Sequence, residues 1–295
     1  MIETLPAPAP GSTIGAALKA ARAQLRKAGV DAPARDAKLL LGHALSRPQA
    51  GLIGADRDPL GSEDAARFQA LIDRRAAREP ISRIIGTRAF WSLDFMLSEA
   101  VLDPRPDSEC LVAAALAIRP ERHAPLRIVD LGVGSGCLLL SVLAERPQAH
   151  GVGIDRAAGS VQVARQNADA LGLGERALIT QANWADCLTG PVDLVLSNPP
   201  YIPEADVDRL APEVQAHDPR GALAGGADGL DAYRAILPSL PRLLGAIGTA
   251  LLEVGAGQWN AVATMAEENG LAITDCARDA AGVARVVIVR NHRGT

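Results

Sequence analysis

Between residues 12 and 77, apolar residues recur at helical spacing. Ile14, Leu18, Ala21 and Leu25 fall on one face of a helix that Ser12 or Thr13 can cap and that ends near Gly29. Ala37, Leu40, Leu41 and Ala44 predict a second helix over 34–45. Ala65, Phe68, Leu71 and Ile72 predict a third over 62–77. This stretch carries no catalytic cluster and reads as a packing or partner-docking module. Over 84–102 the pattern changes: Phe90, Trp91, Leu93, Phe95 and Leu97 among polar residues predict a short β-hairpin.

From 126 onward strand and helix patterns alternate. Strands are predicted at 126–131, 151–155, 177–181, 192–197 and 248–254, with a final pair at 273–278 and 283–289. Helices are predicted at 137–145, 160–171, 231–240 and 258–269. Repeated strand–helix units imply an α/β fold with a mostly parallel sheet covered on both faces. Ligands of such sheets bind beyond the carboxyl ends of the strands, after Leu131, Ile154, Gln181 and Ser197. The expected organisation is a helical domain over 1–83, a hairpin linker over 84–108 and an α/β domain over 109–295.

Composition narrows the reading. The 295 residues carry 30 basic and 34 acidic side chains, net −4, which excludes nucleic-acid binding by bulk electrostatics. Residues 1–100 balance at +3 and residues 101–295 at −7, so the two parts differ. The four cysteines form no CxxC pair and no metal spacing, which fits a reducing compartment. Met1 to Gly11 has no basic segment followed by an apolar stretch, and no run of 18 apolar residues occurs. No signal peptide and no membrane span are expected. Only eight aromatic residues occur, so each asks for a reason.

After the first predicted strand comes Gly132-Val133-Gly134-Ser135-Gly136-Cys137. The glycines allow a tight turn with close ligand approach, and the next helix offers unpaired N–H groups. A dinucleotide fingerprint needs glycine at 137, where Cys137 stands. Asp155 ends the second strand, where a carboxylate can accept both ribose hydroxyls. The loop resembles that of class I S-adenosylmethionine-dependent methyltransferases. By itself it leaves open a nicotinamide-binding variant and a turn without ligand.

The fourth strand ends in Asn198-Pro199-Pro200-Tyr201. This loop suits methylation of a planar amide or exocyclic amino nitrogen, a poor nucleophile because its lone pair is delocalised. The Asn198 side-chain carbonyl can accept one N–H and the Pro199 backbone carbonyl the other, favouring a pyramidal nitrogen. Consecutive prolines fix φ and donate no N–H. Tyr201 offers a ring face for a planar group. As a plain turn, the same residues would only close a strand.

Three further stretches narrow the family. Leu102 to Glu109 reads Leu-Asp-Pro-Arg-Pro-Asp-Ser-Glu, Asp218 to Leu230 contains Asp-Pro-Arg-Gly-Ala-Leu and Asp-Gly-Leu, and Leu251 to Gly255 reads Leu-Leu-Glu-Val-Gly ahead of Gln258. With Ala284-Arg285-Val286-Val287 and Arg78-Glu79-Pro80-Ile81, nearly the whole chain resembles the release-factor glutamine methyltransferases, the PrmC/HemK family. The resemblance implies a Rossmann-like class I methyltransferase sheet with a small N-terminal helical domain joined by a β-hairpin. It implies a cytoplasmic enzyme that transfers methyl from S-adenosyl-L-methionine to the Gly-Gly-Gln glutamine amide of class 1 peptide chain release factors.

By the same resemblance, Gly132, Val133, Gly134, Ser135, Gly136, Asp155 and Trp184 bind the cofactor. Asn198, Pro199, Pro200 and Tyr201 hold the glutamine, with Asn198 also near the cofactor. Asn183 stands where family members commonly carry Asp, although an amide oxygen can still accept a hydrogen bond. Val133 replaces the usual Thr, and Asp107 and Ser108 replace Glu and Thr. No metal, membrane or stable nucleic-acid partner is expected. Two alternatives remain at this level: glutamine methylation of a ribosomal protein, and DNA N6-adenine methylation. The second must hold a duplex and flip a base, and the chain has neither a large extra recognition domain nor a basic catalytic part.

Overall fold

Seven strands form one sheet in the order β5-β4-β3-β6-β7-β9-β8 in the computed structural model, which describes residues 12–292. They are β3 (Arg127–Leu131), β4 (His150–Asp155), β5 (Ala177–Gln181), β6 (Leu194–Ser197), β7 (Thr249–Glu253), β8 (Leu271–Arg278) and β9 (Ala284–Asn291). Strands β3 to β7 run parallel, and β9 lies antiparallel to both β7 and β8. The remaining two strands, β1 (Thr87–Phe90) and β2 (Leu93–Met96), form an antiparallel hairpin.

Alternation along the strands gives each face its own core. Ile128, Leu194, Leu196, Leu251 and Ile288 point to one face. They pack with α5 (Glu109–Ile118), α6 (Cys137–Glu145) and α7 (Ala158–Ala170). Val129, Leu131, Val195, Ala250, Leu252 and Val287 point to the other, against α11 (Asp231–Ile236), α12 (Leu240–Leu244) and α13 (Trp259–Glu268). The hairpin supplies Phe90 and Phe95 to the first core, edge to face with ring centroids 6.2 Å apart. Asn167 on α7 fastens it: its Oδ1 accepts Met96 N–H at 2.7 Å, and its Nδ2 donates to Met96 O and Ser135 O.

Residues 12–86 and 212–217 form a separate compact unit. It holds α1 (Ile14–Lys27), α2 (Pro33–Ala44), α3 (Ser62–Ala76) and α4 (Ile81–Ile85) around Leu25, Leu40, Leu41, Phe68 and Ile72. Thr13 caps α1, its Oγ1 accepting Ala16 N–H at 3.3 Å. Arg75 is buried and pairs with buried Asp36 at 2.8 Å. The short helix α9 (Pro212–His217) belongs to this unit; Glu213 pairs with Arg75 at 3.2 Å and Arg78 at 2.8 Å. Two other short helices, α8 (Glu204–Val207) and α10 (Arg220–Leu223), belong to the sheet unit.

Two differences from the sequence-level elements have physical causes. The helix predicted over 231–240 is broken at 237–239 into a tighter turn, because Pro238 and Pro241 remove backbone donors. Helix α5 went unpredicted because its ten residues are apolar nearly all round, which erases the helical period. The signal-peptide expectation concerns Met1 to Gly11, which lie outside the described residues. Among the described residues no helix is long and apolar enough to cross a membrane, and no cluster of three His, Cys, Asp or Glu could hold a metal.

Candidate active site

The carboxyl ends of β3, β4 and β6 open on one cleft of about 180 Å³. Gly132, Gly134 and Gly136 all have positive φ, a conformation costly for other residues, and coil the chain after β3 into a tight loop. The loop is pinned by Gly132 N–H and Val133 N–H, both donating to Ile154 O at 2.8 Å. Asp155 at the tip of β4 accepts Gly134 N–H at 3.1 Å and Ala157 N–H at 2.9 Å, which fixes its carboxylate at the cleft edge. Buried Ser197 donates to Leu131 O at 2.6 Å and so locks the end of β6 beside the end of β3.

From the glycine loop, Gly132 through Ser135 line the cleft. Asp155 and Trp184 line its wall, with Asn183 beside them. Trp184 has a left-handed backbone, φ 45°, and its ring lies over Gly132. Asn183 Nδ2 donates to Asp186 at 3.3 Å, so its Oδ1 is the end available as an acceptor. Asn198 and Pro200 line the cleft, whereas Gly136, Pro199 and Tyr201 do not.

The backbone of the Asn198–Tyr201 loop is clamped from two directions. Ile202 pairs with the 218–230 stretch, donating to Leu223 O at 3.0 Å and accepting from Gly225 N–H at 2.8 Å. Gln258 Nε2 donates to Tyr201 O at 2.9 Å while its Oε1 accepts Gly255 N–H at 3.0 Å. Burial pushes the Tyr201 phenol up to about 12 and, with Glu253 nearby, keeps it neutral. Across the cleft, Arg105 pairs with buried Asp218 at 2.6 Å, joining the 102–109 stretch to the 218–230 stretch.

Two buried carboxyl groups lie behind the site. Asp130 is 1% exposed; burial raises it to about 7 although Leu139 N–H donates to it. Glu253 is 2% exposed and is also raised to about 7, mainly by burial. Asn198 Nδ2 donates to buried Ser108 Oγ at 3.2 Å. Sequence reasoning gave Ser108, Glu253 and Gln258 no role. The available signal was an acidic residue closing the wholly buried strand β7.

Comparison with known proteins decides the family. Residues 16–86 match the PrmC N-terminal domain and residues 90–219 the methyltransferase small domain. A release factor glutamine methyltransferase of Rhodospirillum rubrum is 47% identical over 90% of this chain and 82% of its own length. One from Cereibacter sphaeroides is 45% identical over 93% and 97%. The chain belongs to the release factor glutamine methyltransferase family. Its sheet is the class I methyltransferase fold. The hMettl16 catalytic domain, solved in complex with the MAT2A 3′UTR hairpin 6, shares that fold at 12% identity and TM-score 0.54. That likeness covers 80% of this chain and 84% of the other.

Proposed function

We propose that this family member moves methyl from S-adenosyl-L-methionine to the glutamine amide nitrogen in the Gly-Gly-Gln loop of class 1 peptide chain release factors. The observation that carries this reading is the placement of Asn198 and the glycine loop on one cleft. The same reading puts the enzyme in the cytoplasm with its substrate.

The residues present fit the cofactor. The Gly132–Gly136 loop gives a close backbone approach at the start of α6, Asp155 offers a carboxylate for ribose hydroxyls, and Trp184 gives an apolar face for adenine. Bound S-adenosyl-L-methionine supplies an electrophilic methyl on a sulfonium. Asn198 Oδ1 and the Pro199 carbonyl accept the two N–H groups of the incoming amide, and this turns its lone pair toward the methyl group. Among the described residues no backbone N–H donates to the Pro199 carbonyl. Transfer of that methyl would leave the sulfur as a neutral thioether and release one amide proton to water, with Asn198 and Pro199 holding the nitrogen. A neutral acceptor at Asn198 avoids the desolvation cost of a carboxylate there.

The test is incubation with labelled cofactor and three acceptors: a class 1 release factor, a ribosomal protein fraction and duplex DNA. Label in the release factor glutamine is the expected result. Label only in ribosomal protein or only in DNA refutes the proposed substrate.

A further inference from the structure

Asn198 can orient a substrate amide only one way round. Its Oδ1 must face the incoming N–H; turned over, the group would present N–H to N–H. The two ends of an amide are nearly the same size, so packing cannot choose between them and hydrogen bonds must. Nδ2 donates to Ser108 Oγ at 3.2 Å. Glu253 lies next in line, at the end of β7, where the pairing of Ser197 with Leu252 sets it beside Asn198, and the Ser108 and Asn198 side chains both favour its charged form. Its Oε2 has no hydrogen-bond partner among the described residues. An ionised carboxyl accepts only, so beside it the Ser108 hydroxyl and the nitrogen end of Asn198 are favoured over an amide oxygen. A buried carboxyl that is only partly satisfied is costly, and such a cost calls for a functional account.

We propose that Glu253, acting with Ser108, is a positioning residue for Asn198, setting which end of its amide faces the cleft. The inference rests on the role proposed above for Asn198. Around Glu253 stand Asp107 and Arg285, the thiols of Cys110 and Cys137, and the phenols of Tyr201 and Tyr233. Burial raises those thiols and phenols to about 11 or above. Burial brings Glu253 to about 7, with Ser108 and Arg285 opposing it. Protonated Glu253 becomes a donor and competes for the Ser108 oxygen that holds Asn198.

The test uses the full chain and two independent readouts. The first is the side-chain amide signal of Asn198 in protein labelled with nitrogen-15 at its six asparagines, assigned by Asn198→Ala. In the wild-type protein this signal shifts with an apparent pKa near 7; in Glu253→Gln it does not. The second is methyl transfer at saturating substrates. Glu253→Gln and Ser108→Ala each lower kcat by about tenfold or more, from misorientation of the acceptor. Cofactor Kd stays within about twofold, because the affected atoms meet the acceptor amide; Ser108→Thr, which keeps the hydroxyl, recovers most of the loss. The acid limb of kcat near pH 7 disappears in Glu253→Gln. An Asn198 signal that titrates identically in Glu253→Gln overturns the proposal, whatever the substrate turns out to be. So do wild-type kcat in both variants and a loss confined to cofactor affinity. Failure of the wild-type enzyme to label a release factor refutes the proposed substrate instead and leaves the amide-signal readout intact.

Discussion

Replacing Gly229 with alanine tests whether the catalytic loop is held by close backbone contact. A Cβ there would lie 2.3 Å from Tyr201 O and 2.7 Å from Gln258 Nε2, and the backbone sits at φ +79°. Gly172 is the matched control, with φ +69° and nothing within 4 Å of its Cβ position. Both alanines cost about 1–2 kcal/mol for the left-handed backbone. Only Gly229→Ala adds overpacking, about 1–3 kcal/mol, since a carbon-to-oxygen approach of 2.3 Å must open by about 1 Å. The expected destabilisation is therefore about 2–5 kcal/mol for Gly229→Ala against about 1–2 for Gly172→Ala. The Tyr201 carbonyl is tied to Gln258 at 2.9 Å, so the strain passes into the Asn198–Tyr201 loop. A shift of about 1 Å in that loop costs about 100-fold in kcat. Urea unfolding and methyl-transfer assays on the two variants measure both effects. Equal unfolding midpoints together with wild-type kcat in Gly229→Ala refute the clamp.

Asn198→Ala is expected to abolish methyl transfer while calorimetric cofactor affinity stays close to wild type; wild-type-like turnover would sink the mechanism. Asp155→Ala removes a charged acceptor worth about 1.5–3 kcal/mol per hydrogen bond and is expected to weaken cofactor binding at least tenfold, measured by calorimetry. Unchanged affinity there means that the ribose assignment is wrong. Asp130 is raised from 3.8 to about 7, so the folded state binds more protons than the unfolded chain between those values. Its contribution to stability therefore falls as pH rises from about 4 to about 7, by a few kcal/mol in all. Asp130→Asn is expected to flatten that part of the unfolding profile, and an unchanged pH dependence would contradict the assignment. Asp36→Ala strips buried Arg75 of its 2.8 Å partner and should destabilise the helical unit by about 3 kcal/mol, less what Glu213 retains. Loss of the α3 amide protection from hydrogen exchange is the readout.

The sheet was legible because its strands are short apolar runs at the ends of which chemistry-bearing residues stand out. Asp155, Trp184 and Asn198 each follow such a run, and the cleft gathers all three. Helix α5 was not legible, since ten mostly apolar residues carry no period. Nor was α9: Glu213 finds Arg75 and Arg78 across more than 130 residues, and nothing in the intervening chain marks the pairing. The supporting side chains were hidden for a different reason. Periodicity reports which residues are buried, not which buried polar groups face each other. Ser108, Asn198 and Glu253 come from three separate stretches, and only the folded β6 and β7, paired Ser197 to Leu252, bring the last two side by side.

That separation also explains why motif-like stretches recur so far from the catalytic loop. The 102–109 stretch contributes Ser108 to the Asn198 amide and Arg105 to the cleft wall. The 218–230 stretch contributes the backbone partners of Ile202 and the close pass of Gly229 beneath Tyr201. The 251–258 stretch contributes Glu253 and the bidentate Gln258. Asn-Pro-Pro-Tyr alone has two fixed φ angles and an amide with no preferred end. Each remaining freedom of that loop is removed by one of the three stretches. On the mechanism proposed above, their residues act on methyl transfer through the geometry of Asn198. Variants in them should lower kcat with cofactor affinity retained, whereas variants in Gly132–Gly136 or Asp155 should move cofactor affinity first.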